Sequence, residues 1–214
     1  MATLKPKLTP KRVPKSLWAE ALSVVKKKWT YPGMQSYEPQ EKIVNTLFHK
    51  LYPTNTDLSE VLVKASILNQ FYSTQIYAIS TLSKRIAALN IDSDLQAGDI
   101  KVVDRIANLL SRRNYSFASK YCANHNPKAY PINDSLVRGY LAQVIAKGNL
   151  NGYSGKKTPL DARMQVDYPY YKEVYDAFMK QYHLKSLGYR NVDWYIWTAC
   201  KCNLSHLDLF KLSK

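Results

Sequence analysis

Apolar positions recur at intervals of three and four along most of this chain, the spacing that stacks side chains on one face of an α-helix. Ser16 is placed to cap a first helix with Trp18, Leu22 and Val25 on its apolar face, and Ile43, Val44, Leu47, Phe48 and Leu51 form a second stripe. Asp57 opens a third helix through Val61, Leu62, Ala65 and Leu68, and Ser73 or Thr74 is placed to cap a fourth carrying Ile76, Ile79, Leu82, Ile86 and Leu89. Asp99 caps a helix through Val102, Val103, Ile106, Leu109 and Leu110. Asp134 caps another over 135–146, which Gly148 ends. After a polar loop over 149–155, further helices are expected near 169–184 and 193–203. Strand-like alternation is almost absent, so the expected class is all-α.

Residues 1–15 break this pattern. They hold Lys5, Lys7, Lys11, Arg12 and Lys15 with Pro6, Pro10 and Pro14, and the first acid is Glu20. The expected organisation is a flexible basic arm over 1–15 followed by one helical domain over 16–214. The arm sharpens an imbalance of the whole chain, in which 31 Lys and Arg stand against 16 Asp and Glu for a formal net charge of +15. So large a positive excess favours a polyanionic partner such as a nucleic acid. No apolar run approaches the roughly 20 residues of a membrane span, and no signal-peptide hydrophobic core follows Met1. The expectation is a soluble monomer of the cytoplasm and nucleoid, or of the nucleus in a eukaryote. Cys122, Cys200 and Cys202 form no repeated pair, and His49, His125, His183 and His206 lack metal-ligand spacing. Neither a metal nor another cofactor is expected.

Two segments carry candidate chemistry. The first runs Leu110-Ser111-Arg112-Arg113-Asn114-Tyr115-Ser116-Phe117-Ala118, and Tyr130-Pro131-Ile132-Asn133-Asp134 follows it; Ala118 and Asp134 are 134 − 118 = 16 positions apart. The second is Ser66 to Ile76, with Gln70, Tyr72 and Gln75 before a helix start. In order and spacing they resemble the helix-hairpin-helix DNA glycosylase superfamily, the oxoguanine glycosylase and endonuclease III-like enzymes, over roughly residues 58 to 147. In that superfamily a hairpin of the form L-P-G-V-G-x-K-x-A precedes a catalytic Asp at a helix start by sixteen or seventeen residues.

The resemblance makes double-stranded DNA the expected partner and implies a helical bundle whose hairpin grips DNA phosphates, with Arg112, Arg113, Asn114 and Ser116 at the DNA and the basic arm along the backbone. Arg112 and Asn114 replace the hairpin glycines. Asn tolerates the left-handed conformation and Arg does so poorly, so the turn must differ in detail. Asp134 becomes the catalytic carboxylate, and Gln70, Tyr72 and Gln75 become candidates to fill the gap left by an extruded base. Ser116 occupies the position of the Schiff-base lysine of bifunctional members, which implies base hydrolysis without strand nicking. Lys120 lies four residues further on the same helix face and is the second catalytic candidate, either reaching the pocket as an amine or contacting phosphate or solvent. Tyr168, Tyr170, Tyr171, Trp194, Tyr195 and Trp197 form a dense aromatic group, from which Trp194 and Trp197 are candidates to hold a flipped base between their faces.

The chemistry needs little more. Breaking the bond between base and sugar develops positive charge on the sugar, and one carboxylate beneath it stabilises that charge and orients water. The expected function is a monofunctional DNA glycosylase acting on a damaged or modified base, in repair or against modified phage DNA. The alternative is a non-catalytic helix-hairpin-helix DNA-binding protein that keeps the fold and the charge.

Overall fold

The structure, a computed structural model, describes residues 16–202 and Leu204, and every regular element among them is helical. Eleven α-helices follow one another: α1 (Trp18–Lys26), α2 (Tyr37–Thr46), α3 (Leu58–Phe71), α4 (Ile79–Ala87), α5 (Asp92–Ala97), α6 (Lys101–Ala107), α7 (Tyr115–His125), α8 (Ser135–Ala146), α9 (Lys157–Val166), α10 (Tyr168–Gln181) and α11 (Gly188–Lys201). A π-helical turn over Leu47–Leu51 extends α2. The all-α class expected from the periodicity is what the chain adopts. The basic arm with Lys5, Lys7, Lys11, Arg12 and Lys15 lies outside the described residues, as does His206.

Helix α7 is the axis of the bundle. Nine of its eleven residues, from Tyr115 and Phe117 to Asn124, are buried, so it is enclosed on all sides instead of presenting one apolar stripe. Helices α3, α5, α6 and α9 pack around it, while α1 closes against α11 and α8 against both α9 and α11. The first and last described helices are thereby joined, and the Leu17 N–H ties the start of α1 to the end of α10 by donating to the Tyr182 carbonyl at 3.2 Å.

Several caps form where the sequence places them. Asp57 accepts from the Ser59 and Glu60 amides, Asp99 from Lys101, and Asp134 from Leu136. Each satisfies a backbone donor that a helix start otherwise leaves unpaired. Ser16 accepts from the Trp18 amide at 3.2 Å.

Other expectations are corrected. Neither Ser73 nor Thr74 caps a helix: α4 starts at Ile79, and the preceding loop holds Ser73 and Gln75 at φ 48° and 56°. Asn69 organises that loop, accepting from Thr74 Oγ1 and the Ile76 amide and donating to the Ile76 carbonyl. Helix α6 stops at Ala107, and α5, α9 and the first five residues of α11 are helical where no helix was expected. Trp18, Ile43 and Leu51 lie at the edges of their stripes and are exposed, and the buried faces are instead Ala21, Val24 and Val25 on α1 and Val44, Leu47 and Phe48 on α2 and its extension. The periodicity locates these helices, but the α2 stripe is narrower than expected and the buried face of α1 is rotated from the expected one, sharing only Val25 with it.

Tyr168, Tyr171 and Tyr195 are fully buried core residues, not walls of a base pocket. Tyr168 donates to the Pro131 carbonyl at 2.8 Å and Tyr171 to that of Ile132, so α10 holds the segment leading to Asp134. Asn133 secures it further, its amide donating to Ser119 Oγ at 2.9 Å and its side chain to the Met164 carbonyl at 2.9 Å while accepting from Arg138 at 2.7 Å. Leaving any of these buried groups unpaired costs roughly 1–3 kcal/mol, so Asp134 is presented from a rigid support.

Candidate active site

Five separate stretches of chain converge on one cavity of about 210 Å³. Helix α2 contributes Tyr37, Gln40, Glu41 and Val44; the end of α3 and its loop contribute Phe71, Tyr72 and Ser73. Lys120 enters from α7, Ile132 and Asp134 from the segment before α8, and Arg190, Asp193, Trp194 and Trp197 from α11. The volume is smaller than the roughly 300–1,000 Å³ of pockets for drug-sized ligands and suits a single flat ring system.

Lys120 and Asp134 meet here. Lys120 is 3% exposed, and its ammonium nitrogen stands 3.6 Å from Asp134 Oδ2 and 2.6 Å from Ser116 Oγ. At this exposure Lys120 is directed into the cavity and away from bulk solvent. Desolvation lowers its pKa below the usual lysine value, against the opposing pull of Asp134 and Asp193. Asp134 uses its two oxygens separately: Oδ1 accepts from the Leu136 amide at 2.8 Å, and Oδ2 faces Lys120. It is at once the cap of α8 and a carboxylate directed at the cavity.

The walls are aromatic. Trp194 and Trp197 lie 5.9 Å apart edge to face, Tyr37 meets Trp197 edge-on at 4.9 Å, and Trp29 does the same to Trp194. Glu41 fixes the first indole by accepting from Trp194 Nε1 at 2.9 Å. Tyr72 stands over the lysine, its ring centre 5.6 Å from Lys120 Nζ, and its hydroxyl accepts from Arg190 at 3.3 Å. Of the residues considered for base extrusion, Tyr72, Trp194 and Trp197 line the cavity, whereas Gln70 is on the exposed side of α3 and Gln75 is exposed on the following loop. The same loop carries Tyr77, 95% exposed and four residues beyond Ser73.

A second acidic group was not anticipated from the sequence. Asp193 is buried, its Oδ2 3.6 Å from an Arg190 nitrogen, while Glu41 holds Arg190 from the other side at 3.4 Å. Burial pushes its carboxyl up to about 7, Arg190 opposing and Asp134 adding to the rise. A carboxyl whose folded pKa exceeds its unfolded value keeps its proton in the folded state alone between the two, so its contribution to stability falls as pH rises from about 4 to about 7. Asp193→Asn is therefore expected to remove this slope, on the order of a few kcal/mol, from a plot of unfolding free energy against pH. An identical slope in wild type and variant would place the titration elsewhere.

Helices α6 and α7 pack side by side and are joined by residues 108–114. The joining loop uses no left-handed residue: neither Arg112 nor Asn114 has a positive φ, so the turn proceeds without the conformation that glycines would supply. Arg112 and Arg113 are exposed there, and Asn114 donates to the Arg112 carbonyl at 2.6 Å. Ser116 sits in the first turn of α7, facing Lys120 instead of solvent. Among the described residues there is no cluster of metal-ligating side chains and no helix long and apolar enough to cross a membrane. The three cysteines are free.

The profile of the family described as HI_0787_N, N-terminal domain, matches residues 19–129, just over half of the 214 positions. The match takes in Lys120 and the α2 and α3 walls and ends before Asp134 and α11. An uncharacterized protein of Haemophilus influenzae is 34% identical over 155 residues, which are 69% of this chain and 69% of that protein. No solved structure matches the chain.

Proposed function

We propose that this chain, which belongs to the family described as HI_0787_N, N-terminal domain, is a DNA N-glycosylase that releases a base extruded from duplex DNA. The observation that carries this reading is the pairing of Lys120 and Asp134, 3.6 Å apart, inside a cavity of about 210 Å³ walled by Trp194, Trp197, Tyr37 and Tyr72. A flat base stacks on aromatic faces, and the sugar attached to it is brought to a carboxylate and an amine. The helix-hairpin-helix arrangement is supported by the packing of α6 on α7, the exposed arginines of their joining loop and the sixteen-residue spacing to Asp134. The charge of +15 supports a DNA partner.

In the first route the bond between base and sugar breaks with its electron pair leaving on the base. Asp134 stabilises the sugar cation, and water adds its oxygen to the sugar carbon while giving up a proton. A second route is favoured by one observation. Ser116 stands where the resemblance would place a nucleophilic lysine, and the structure brings the Lys120 amine to 2.6 Å from that hydroxyl. Desolvation favours its neutral form. In this route the amine attacks the sugar carbon as the base leaves with the electron pair of the broken bond and takes up a proton, the nitrogen loses its proton to Asp134, and the ring C–O bond then opens to give an imine that permits strand cleavage.

Incubation with duplexes carrying a panel of altered bases, followed by alkali to cut abasic sites, tests the function. Strand scission confined to one or a few base types is expected. DNA binding without release of any base would leave the non-catalytic DNA-binding protein as the reading.

Tyr77 is placed to act as a wedge. Extrusion leaves a gap in the stack, and an exposed ring on the loop that begins at the cavity wall can occupy it. Aromatic stacking on a base contributes about 1–3 kcal/mol. Tyr77→Ala is thus expected to slow release from paired duplex by roughly 5- to 150-fold, with a much smaller effect on a single-stranded substrate that needs no extrusion. Equal losses on both substrates would remove the wedge assignment.

A further inference from the structure

The polar groups of the cavity are largely engaged with one another. Lys120 is held by Ser116 and Asp134, Glu41 accepts from Trp194 and pairs with Arg190, and Tyr72 accepts from Arg190. One oxygen differs. Asp193 is 7% exposed, its Oδ2 is directed at Arg190, and its Oδ1 is buried with no hydrogen-bond partner. A buried carboxylate oxygen left without a donor costs free energy, and a ligand that brings a donor to it recovers that cost.

We infer that Asp193 Oδ1 accepts a hydrogen bond from an N–H group on the edge of the extruded base, so that the substrate class is nucleobases presenting such a donor. This rests on the glycosylase reading and names the part of the cavity that selects the base. The geometry separates reading from chemistry: Asp193 and Trp194 come from α11, whereas Lys120 and Asp134 approach from α7 and the start of α8. Arg190 holds Oδ2, which leaves Oδ1 as the oxygen available to a donor in the cavity that Asp193 lines. The groups bearing on Asp193 are Arg190 on α11, Lys120 on α7, Glu41 on α2, Asp134 before α8, and the buried Tyr171 and Tyr175 on α10. On protonation, the oxygen free to take the proton is Oδ1, which then offers a donor where the base also offers one. Burial holds the carboxyl at about 7, so binding of the base weakens as pH falls below neutrality.

The test uses single-turnover base release by the full chain. A panel of duplexes carrying uracil, hypoxanthine, and alkylated and oxidised purines identifies the best-released base, and a matched duplex carries the same base with its ring N–H methylated. Wild type is expected to prefer the N–H form by about 100-fold or more, the scale on which a buried polar group rejects a ligand that leaves it unpaired. In Asp193→Leu that ratio is expected to collapse to a few-fold. A ratio unchanged from wild type overturns the inference while leaving the glycosylase reading in place. Asp193→Asn keeps a carbonyl acceptor and cannot titrate, so it is expected to retain the preference and to lose the acid limb near pH 7 in the ratio of N–H to N-methyl release, a ratio from which titration of Lys120 cancels. Persistence of that limb also overturns the assignment, even where Asp193→Leu does not fold. Release of no base by the wild type overturns the glycosylase reading itself and this inference with it.

Discussion

Asp134→Asn is expected to reduce base release by about 100- to 1,000-fold or more, the range seen when a group stabilising transition-state charge is removed. The variant separates catalysis from folding because asparagine caps a helix as well as aspartate does, and its side-chain oxygen can still accept from the Leu136 amide. What disappears is the negative charge 3.6 Å from Lys120. DNA affinity should stay level or rise, since a negative charge near the phosphates is lost. Comparison of single-turnover rates with binding isotherms at one salt concentration checks both halves. Wild-type rates in Asp134→Asn would show that Asp134 is only the cap of α8.

Borohydride reduction during turnover is expected to trap a covalent complex between protein and DNA, and Lys120→Ala is expected to abolish it. The amine is buried beside the carboxylate that would take its proton, and burial lowers its pKa, so more of it is neutral and nucleophilic near neutrality than for an exposed lysine. Trapping should increase as pH rises, because deprotonation of Lys120 creates the nucleophile. Lys120→Arg should not restore it, since a guanidinium does not lose its proton at these pH values. Accumulation of intact abasic strands without any trapped complex would assign the reaction to Asp134 and water and make Lys120 the counter-ion that positions the carboxylate.

Much of the helical order was legible because it depends on local rules. The caps at Asp57, Asp99 and Asp134 and the end of α8 at Ala146 before Gly148 follow from side chains that bond the nearest backbone amides and from a glycine with φ 71°. The shared face of Ser116 and Lys120 follows from helical spacing alone, and the structure places their polar atoms 2.6 Å apart. Helices without a strong stripe were not legible. Helix α9 buries only Leu160 and Met164, and α5 only Leu95, too few apolar positions to announce a period. Which side of α3 faces the cavity was not legible either, because no local rule sets it; Tyr72 lines the cavity and Gln70 is exposed.

By itself the sequence determined the all-α class, the main helix starts and the presence of a carboxylate and an amine at a spacing suited to one site, since each depends on residues within a turn or two of one another. Only the tertiary structure decided what those groups do together. Burial of α7 on every side turned Lys120 from a surface cation into a desolvated amine, and the return of α11 against α1 and α8 brought Arg190, Asp193 and the two tryptophans to a carboxylate about sixty positions earlier in the chain. Desolvation and long-range proximity are properties of packing, and no spacing along the chain encodes them.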